Sequence, residues 1–285
     1  MDRALFGPAG SSDDFSKKYR SSSDMPGYLQ ALGLDAFEYQ CGQGVRVSDA
    51  SGTKLKAKAE EHGIKLSLHA PYFISLSSVE EEKREKSIDY ILQSCAAARK
   101  IGADRIVIHS GSCAKLSREE ALGLAKATLK KAWDAAVSEG FSEIHFCPET
   151  MGKINQLGNL EEVLELASLD DSFLPCIDFG HLNARTLGQV NSAEAFNYIL
   201  DRIENKLGSD RLKVFHSHFS KIEYTQKGGE LRHLTFDDSV FGPDFEPLME
   251  IIAKRRLTPV FICESAGTQS YDALAMKNSY LSFIE

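Results

Sequence analysis

KLSLHAPYFISLSSVEEEKREKSIDYILQSCAAARKIGADRIVIHSG, residues 65–111, carries the pattern from which the architecture follows. It opens on a short apolar run (65–70), continues as a long amphipathic segment (79–101) closed by Gly102, and ends on a second apolar run (105–111). The two short runs fit strands and the segment between them fits a helix, so the stretch is one β-then-α unit leading into the next strand. The same rhythm fills the chain. Strand-like runs fall at 3–7, 35–40, 65–70, 105–111, 143–150, 174–181, 213–219 and 259–265. Helix-like segments fall at 25–32, 49–62, 79–101, 117–139, 159–168, 193–207, 244–256 and 271–284. Eight such units in 285 residues match a (β/α)8 TIM barrel better than an open doubly wound sheet. No linker-like or low-complexity stretch divides them, so residues 1–285 are expected to form a single domain around one core.

Composition narrows the class. A net charge of −8 argues against a protein that coats nucleic acid indiscriminately, although a local basic face can exist within an acidic total. The amino-terminal MDRALFGPAGSSDD lacks the order of a signal peptide, and no apolar run approaches the roughly 18 residues of a membrane span. The expectation is a cytoplasmic protein without membrane association, and a monomer. Six cysteines (Cys41, Cys95, Cys113, Cys147, Cys176, Cys263) form no C-x-x-C pair and read as reduced, buried space-fillers.

In a TIM barrel the site is built where the strands end at their carboxyl termini. The side chains there are His69, His109, Glu149, Asp178 with His181, His216 with His218, and Glu264, on six consecutive strands. Parity agrees, because in KLSLHA the side chains of Lys65, Ser67 and His69 share one face while Leu66 and Leu68 take the other. In RIVIHSG, Val107 and His109 likewise face inward and Ile106 and Ile108 outward. One strand-end histidine is more often a hydrogen-bonded core residue than a ligand. A whole ring of carboxylates and imidazoles is costly to bury without a cation, and mixed Asp, Glu and His sets suit zinc, manganese or iron. His62 ends a helix, where a cation suits the dipole, and His145 sits four residues below Glu149; neither is assigned a function. Trp133 lies in a helix and reads as core.

The motifs HAPY, VIHSGS, PETMGK, CIDFGH, VFHSHFSK, the pair Arg232–His233 and ICES run in order from the third strand to the eighth. Together they resemble the endonuclease IV family of apurinic/apyrimidinic endonucleases, within the xylose-isomerase-like barrels. The resemblance implies a DNA-repair phosphodiesterase that cleaves DNA at abasic sites with a metal-activated hydroxide, using two or three Zn2+ ions, with Mn2+ as the alternative. It further implies that His69, His109 and Glu149 hold one ion and that Glu149, the central catalytic carboxylate, bridges to a second completed by Asp178, His216 and Glu264. His181 and His233 would hold the third.

Departures from the family accompany the resemblance. Leu231 stands where an aspartate usually serves the third ion. His218, on the same face of its strand as His216, is the preferred replacement and would make an all-imidazole site with His181 and His233; Glu230 is the alternative. The segment after the second strand, CGQGVRVS, does not resemble the family's DNA-reading loop. Basic residues nevertheless populate the βα loops, among them Lys17, Lys18, Arg20, Lys115 and Lys153. Arg46, Arg185, Lys221, Arg232 and the aromatic Tyr72 are the candidates for contact with abasic DNA or another phosphorylated substrate. A second class remains open. Sugar or sugar-phosphate isomerases and epimerases of the same barrels need a Glu, Asp, His, Glu set on one divalent ion, which Glu149, Asp178, His216 and Glu264 would supply. They have no need of His109 and His233. A barrel that only binds a metal or ligand is the third reading.

Overall fold

The computed structural model describes residues 3–284; Met1, Asp2 and Glu285 lie outside it, including the first two residues of the amino-terminal stretch read above for a signal peptide. In chain order the elements are β1 (Leu5–Pro8), α1 (Asp13–Lys18), α2 (Met25–Leu32), β2 (Ala36–Gln40), α3 (Asp49–His62), β3 (Lys65–His69), α4 (Glu81–Ile101), β4 (Arg105–His109), α5 (Arg118–Ser138), β5 (His145–Glu149) and α6 (Leu160–Ala167). The second half holds β6 (Cys176–Asp178), α7 (Phe179–Arg185), α8 (Ala193–Leu207), α9 (Ser209–Lys213), β7 (His216–Phe219), β8 (Ile222–Thr225), β9 (Gly229–His233), α10 (Glu246–Lys254), β10 (Val260–Cys263) and α11 (Gln269–Leu281).

The sheet order β1-β10-β7-β6-β5-β4-β3-β2 is wholly parallel. Its two edges meet: Ala9 pairs with Glu38, and the Gly10 N–H donates to the Glu38 carbonyl at 3.0 Å. The sheet is therefore a single TIM barrel, as the sequence rhythm implies. All eight expected helices are present. Among the described residues there are also three short α-helices, α1, α7 and α9, a 3-10 turn at Ser22–Asp24, and an antiparallel hairpin, β8–β9, in the loop that follows β7. Capping boxes at Ser117/Glu120 and Asn159/Glu162 start α5 and α6 by satisfying backbone N–H groups that have no intrahelical acceptor.

The main core lies between strands and helices, where Leu66, Leu68, Ile106 and Ile108 pack with residues such as Ile91 and Leu129. Inside the barrel, among the described residues, the buried apolar side chains form two small groups. One is Ala9, Ala36, Val260 and Ile262, and the other is Val107, Cys147, Leu174 and Cys176. The remaining inward positions include the buried polar residues Glu38, Ser67 and His216. All six cysteines are buried and unpaired, and Trp133 is buried against Phe146 and Phe173. Among the described residues no helix is long and apolar enough to cross a membrane.

Closure of the barrel depends on a close approach at Gly7, where an added Cβ would lie 1.7 Å from the Ala36 carbonyl oxygen. Backbone stands on both sides of that contact, so neither can yield cheaply. Gly7→Ala is expected to destabilise the protein by about 3 kcal/mol or more, read as a lower denaturation midpoint. Gly123→Ala, in the exposed middle of α5 where nothing lies within 4 Å, should instead stabilise by roughly 0.5–1 kcal/mol.

Candidate metal centre

The Glu149 carboxylate, 1% exposed at the end of β5, has a different pair of imidazoles on each oxygen. Oε2 lies 3.4 Å from His69 Nε2 and 3.3 Å from His109 Nε2. Oε1 lies 3.1 Å from His218 Nδ1 and 3.4 Å from His181 Nδ1. Register explains the convergence, since His109 pairs with Glu149 and Asp178 with His218 across neighbouring strands. Donor atoms from Glu149, Asp178, His218 and Glu264 all lie within 4.8 Å of one another, as do those of His181, Glu230 and His233.

Two observations test whether these residues suit cations. Glu149 Oε2 and Asp178 Oδ2 are buried with no hydrogen-bond donor, an expensive state for a carboxylate unless an ion compensates it. Several of the imidazoles are also turned for ligation. His69 Nδ1 lies 2.8 Å from the Ala70 carbonyl and His181 Nδ1 2.9 Å from that of Thr150. A carbonyl accepts only, so both rings carry a proton on Nδ1, and Nε2, turned toward the cavity, is the nitrogen left for a ligand bond. His233 Nδ1 is likewise engaged, by Ser220 Oγ at 2.8 Å. Separations of 3.3–3.5 Å, between Glu149 Oε2 and the Nε2 atoms of His69 and His109 and between His181 Nε2 and Glu230 Oε2, match the edge of a tetrahedron. With metal–ligand bonds of about 2.0–2.1 Å that edge is about 3.3 Å.

The electrostatics are those of a concentrated buried charge. Burial opposes ionisation of Glu149, but His218, His109 and His181 outweigh it and hold the carboxyl well below the usual range. At Asp178 burial dominates and, with Glu264 and Glu149 nearby, raises the carboxyl despite His181.

The third group differs from the expectation. His218 does not join His181 and His233 in an all-imidazole set; the side chain completing that trio is Glu230 on the hairpin, with Oε2 3.5 Å from His181 Nε2 and Oε1 4.0 Å from His233 Nε2. The hairpin curls back over the mouth and brings the carboxylate of Glu230, next to Leu231 in sequence, beside His181 and His233. His216 also stands elsewhere. It is one pleat below His218, opposite Cys176 rather than Asp178, and its Nε2 bonds Glu38 Oε2 at 2.8 Å. Burial holds its imidazole down at about 4, and His218 takes the place expected for it beside Asp178 and Glu264.

Of the expected substrate contacts, Tyr72 stands 62% exposed at the rim of a cavity of about 390 Å³. His69, His109, Glu149, His181, Glu230, His233 and Glu264 line that cavity. Arg46 lines an adjoining hollow with Gln40 and Gly42. Arg232 is 70% exposed and pairs with Glu223 at 2.6 Å. Lys221 is not available to a substrate, because its buried ammonium is held by the Asp238 carbonyl at 2.7 Å and Asp244 at 3.0 Å. Arg185 is committed too, donating to the carbonyls of Met151 (2.6 Å), Lys153 (3.1 Å), Ile154 (3.1 Å) and Gln156 (2.9 Å). Sequence reasoning passed over Gln40 and Gln156 in the cavity wall and Glu38 beneath it. Glu38 carried one signal, an acid in an apolar strand at the inward parity of Ala36 and Gln40.

Arg185 has a longer reach. The loop it binds carries Gly152, whose carbonyl accepts from the Glu230 N–H at 3.2 Å, and Ile154, whose N–H donates to the Gly228 carbonyl at 3.1 Å. Side chains would not fit there. A Cβ on Gly152 would lie 2.7 Å from Glu230 Oε2, and one on Gly229, at φ 74°, would lie 2.4 Å from the Gly152 carbonyl. One guanidinium thus fixes the loop, the loop fixes the hairpin, and the hairpin presents Glu230 and His233.

Parallel strands ending in convergent imidazoles and carboxylates define a TIM barrel with a cation-competent mouth. The chain belongs to the xylose isomerase-like TIM-barrel family, whose model matches residues 27–279. It is 34% identical over 252 residues to an uncharacterized protein of Methanocaldococcus jannaschii, covering 88% of this chain and 89% of that one. It is 28% identical over 225 residues to the protein named Probable endonuclease 4 of Mycoplasma pneumoniae, covering 75% and 74%. Among solved structures, endonuclease IV from Thermus thermophilus superposes with a TM-score of 0.68 at 19% identity, covering 98% and 99% of the two chains. A D-tagatose 3-epimerase-like protein gives 0.70 at 17%, covering 98% of each. The resemblance read from the motifs is thus borne out at the level of family and relatives, and the superpositions bear out the fold.

Arg185→Ala is expected to speed amide hydrogen exchange in residues 152–156 and 228–231 by at least about tenfold while leaving β3–β5 protected, measured by mass spectrometry. Arg185→Lys should recover little, since one ammonium cannot reproduce the planar fork.

Proposed function

We propose that this protein is a metal-dependent phosphodiester hydrolase that cleaves DNA at abasic sites. The observation that carries the reading is the Glu149 carboxylate flanked by His69 and His109 on one oxygen and by His218 and His181 on the other, with the His181–Glu230–His233 trio beside it. His69, His109 and Glu149 would hold one divalent ion, Glu149, Asp178, His218 and Glu264 a second, and His181, Glu230 and His233 a third. Zinc suits these nitrogen and oxygen donors. Bound ions would supply Lewis acidity, activating water at neutral pH and neutralising charge that develops on phosphate oxygens. The chain's own groups would bind and orient. Lys153, in the cavity wall, offers a cation to the phosphate. Gln40 and Gln156 offer amide donors and acceptors, and exposed Tyr72 gives an aromatic face at the rim.

A sugar or sugar-phosphate epimerase is the second reading, favoured by the Glu149, Asp178, His218, Glu264 group, which is the Glu, Asp, His, Glu combination such enzymes need. It leaves His109 and the hairpin trio without a task, and that weighs for the hydrolase.

Elemental analysis of the purified protein, followed by incubation with a duplex carrying one abasic site and separately with a ketohexose, tests the two. Two or three ions per chain with strand scission at the abasic site are expected. One ion per chain with ketose conversion would overturn the hydrolase reading in favour of the epimerase. Glu149→Gln should lower kcat/KM by more than about 100-fold, beyond the cost of losing a partner that does not touch the ion, without unfolding the protein. His233→Ala should remove one ion and keep the rest.

A further inference from the structure

Thr150 follows Glu149 in sequence, is fully buried, and has no part in the reading above. It stands where β5 and β6 part. The two strands share one register pair, Glu149 with Cys176, and the Thr150 N–H donates to the Cys176 carbonyl at 3.0 Å. One residue later the chain leaves the sheet, with the Met151 N–H turned to the Gly158 carbonyl at 2.8 Å. Backbone groups along a strand face alternate edges, so the next N–H and C=O that face β5 belong to Asp178. No β5 backbone remains to meet them. The Thr150 hydroxyl does so instead, accepting from the Asp178 N–H at 2.8 Å and donating to the Asp178 carbonyl at 3.3 Å.

The same residue acts on a second candidate ligand through its backbone. Its carbonyl accepts the His181 Nδ1–H at 2.9 Å. Between the two contacts, Asp178 Oδ1 accepts the His181 backbone N–H at 2.7 Å, and the unpartnered Oδ2 is the oxygen left for an ion. The direction of these bonds is fixed, because a backbone N–H only donates and a carbonyl only accepts. Neighbouring hydroxyls brace the strand ends in a similar way. Ser110, after His109, donates to the Glu149 carbonyl at 2.9 Å, and Ser217, before His218, donates to the Ile177 carbonyl at 2.8 Å. Of the three, Thr150 is the one that holds two candidate ligands, Asp178 and His181.

We propose that Thr150 is a positioning residue: its hydroxyl stands in for the strand partner that Asp178 lacks, and its carbonyl aims His181, so that Asp178 Oδ2 and His181 Nε2 keep their places beside Glu149. This rests on the metal reading given above. The competing role is packing, in which the γ-methyl of Thr150 matters and its hydroxyl does not.

Two substitutions separate these roles. Thr150→Val keeps the shape and strips the Asp178 N–H and carbonyl of their buried partner, whereas Thr150→Ser keeps the hydroxyl and removes a methyl. The full chain, labelled with 15N-histidine, is titrated with chelator-buffered 113Cd2+, and cadmium–nitrogen coupling is read at His181 and His69. Assignment follows from the resonances that vanish in His181→Ala and His69→Ala. In Thr150→Val, half-saturation at His181 should need about 10–100-fold more cadmium while His69 stays within about threefold of wild type; Thr150→Ser should match wild type at both. Wild-type uptake at His181 in a folded Thr150→Val protein, an equal loss at His69 and His181, or a loss in Thr150→Ser as large as in Thr150→Val overturns the proposal. If Thr150→Val does not fold, Thr150→Ser decides, because packing predicts a loss at His181 where positioning predicts none. A second arm needs no ion. In the metal-free protein, Thr150→Val should speed amide exchange at Asp178 and His181 by about tenfold or more relative to Ile106 and Ile108, followed by NMR, and unchanged relative rates overturn the role. A wild-type protein that takes up no cadmium refutes the metal reading, and amide exchange then decides whether Thr150 holds Asp178.

Discussion

A single carboxylate, Glu149, sets the terms for the mouth of this barrel. It is buried and charged, and the imidazoles of four other elements converge on it, from β3, β4, α7 and β7. A charge in that position is tolerable only with compensation on all sides, so each imidazole near it must be held in one orientation. Much of the surrounding structure serves that need. The Ala70 and Thr150 carbonyls and Ser220 each occupy one nitrogen of a histidine and leave the other turned toward the centre.

The centre has two structural origins. The part made of His69, His109, Glu149, Asp178, His218 and Glu264 stands on or beside barrel strands, whose register fixes it to within a pleat. The part made of Glu230 and His233 stands on a hairpin that is not in the barrel sheet at all. Its position passes through backbone hydrogen bonds to loop 151–156 and from there to Arg185 on α7, the helix that also carries His181. The two parts meet because Asp178 both ends β6 and caps α7, accepting the His181 N–H at 2.7 Å. A strand end thereby aims a helix, and the helix serves both groups.

This division bears on how one barrel can support different chemistries. The strand-borne Glu149, Asp178, His218 and Glu264 form one group of donors, whereas the hairpin adds Glu230 and His233, which complete a second group with His181 over the same mouth. Loop insertion at the carboxyl ends of the strands changes the site without disturbing the layers below, the freedom that makes the fold adaptable.

Hydrophobic periodicity and strand parity are local properties of the chain, and they suffice for the barrel, its eight principal helices and the inward-facing ring of acids and histidines. Parity has a period of two, however, and cannot tell His216 from His218: both face inward, and only pairing with β6 sets one opposite Cys176 and the other opposite Asp178. Glu230 and Leu231 are neighbours in sequence, and the hairpin's path over the mouth determines which of them faces His181. Arg185 and Lys221 read as free cations because their charge is visible in the sequence, whereas the carbonyls and carboxylate that engage them come from other segments of the chain. Glu38 bonds His216 across 178 positions of sequence, and only closure of the barrel brings the two together. Contacts between distant segments exist only once the chain is folded, so the choice of ligand atom at each of these positions belongs to the tertiary structure.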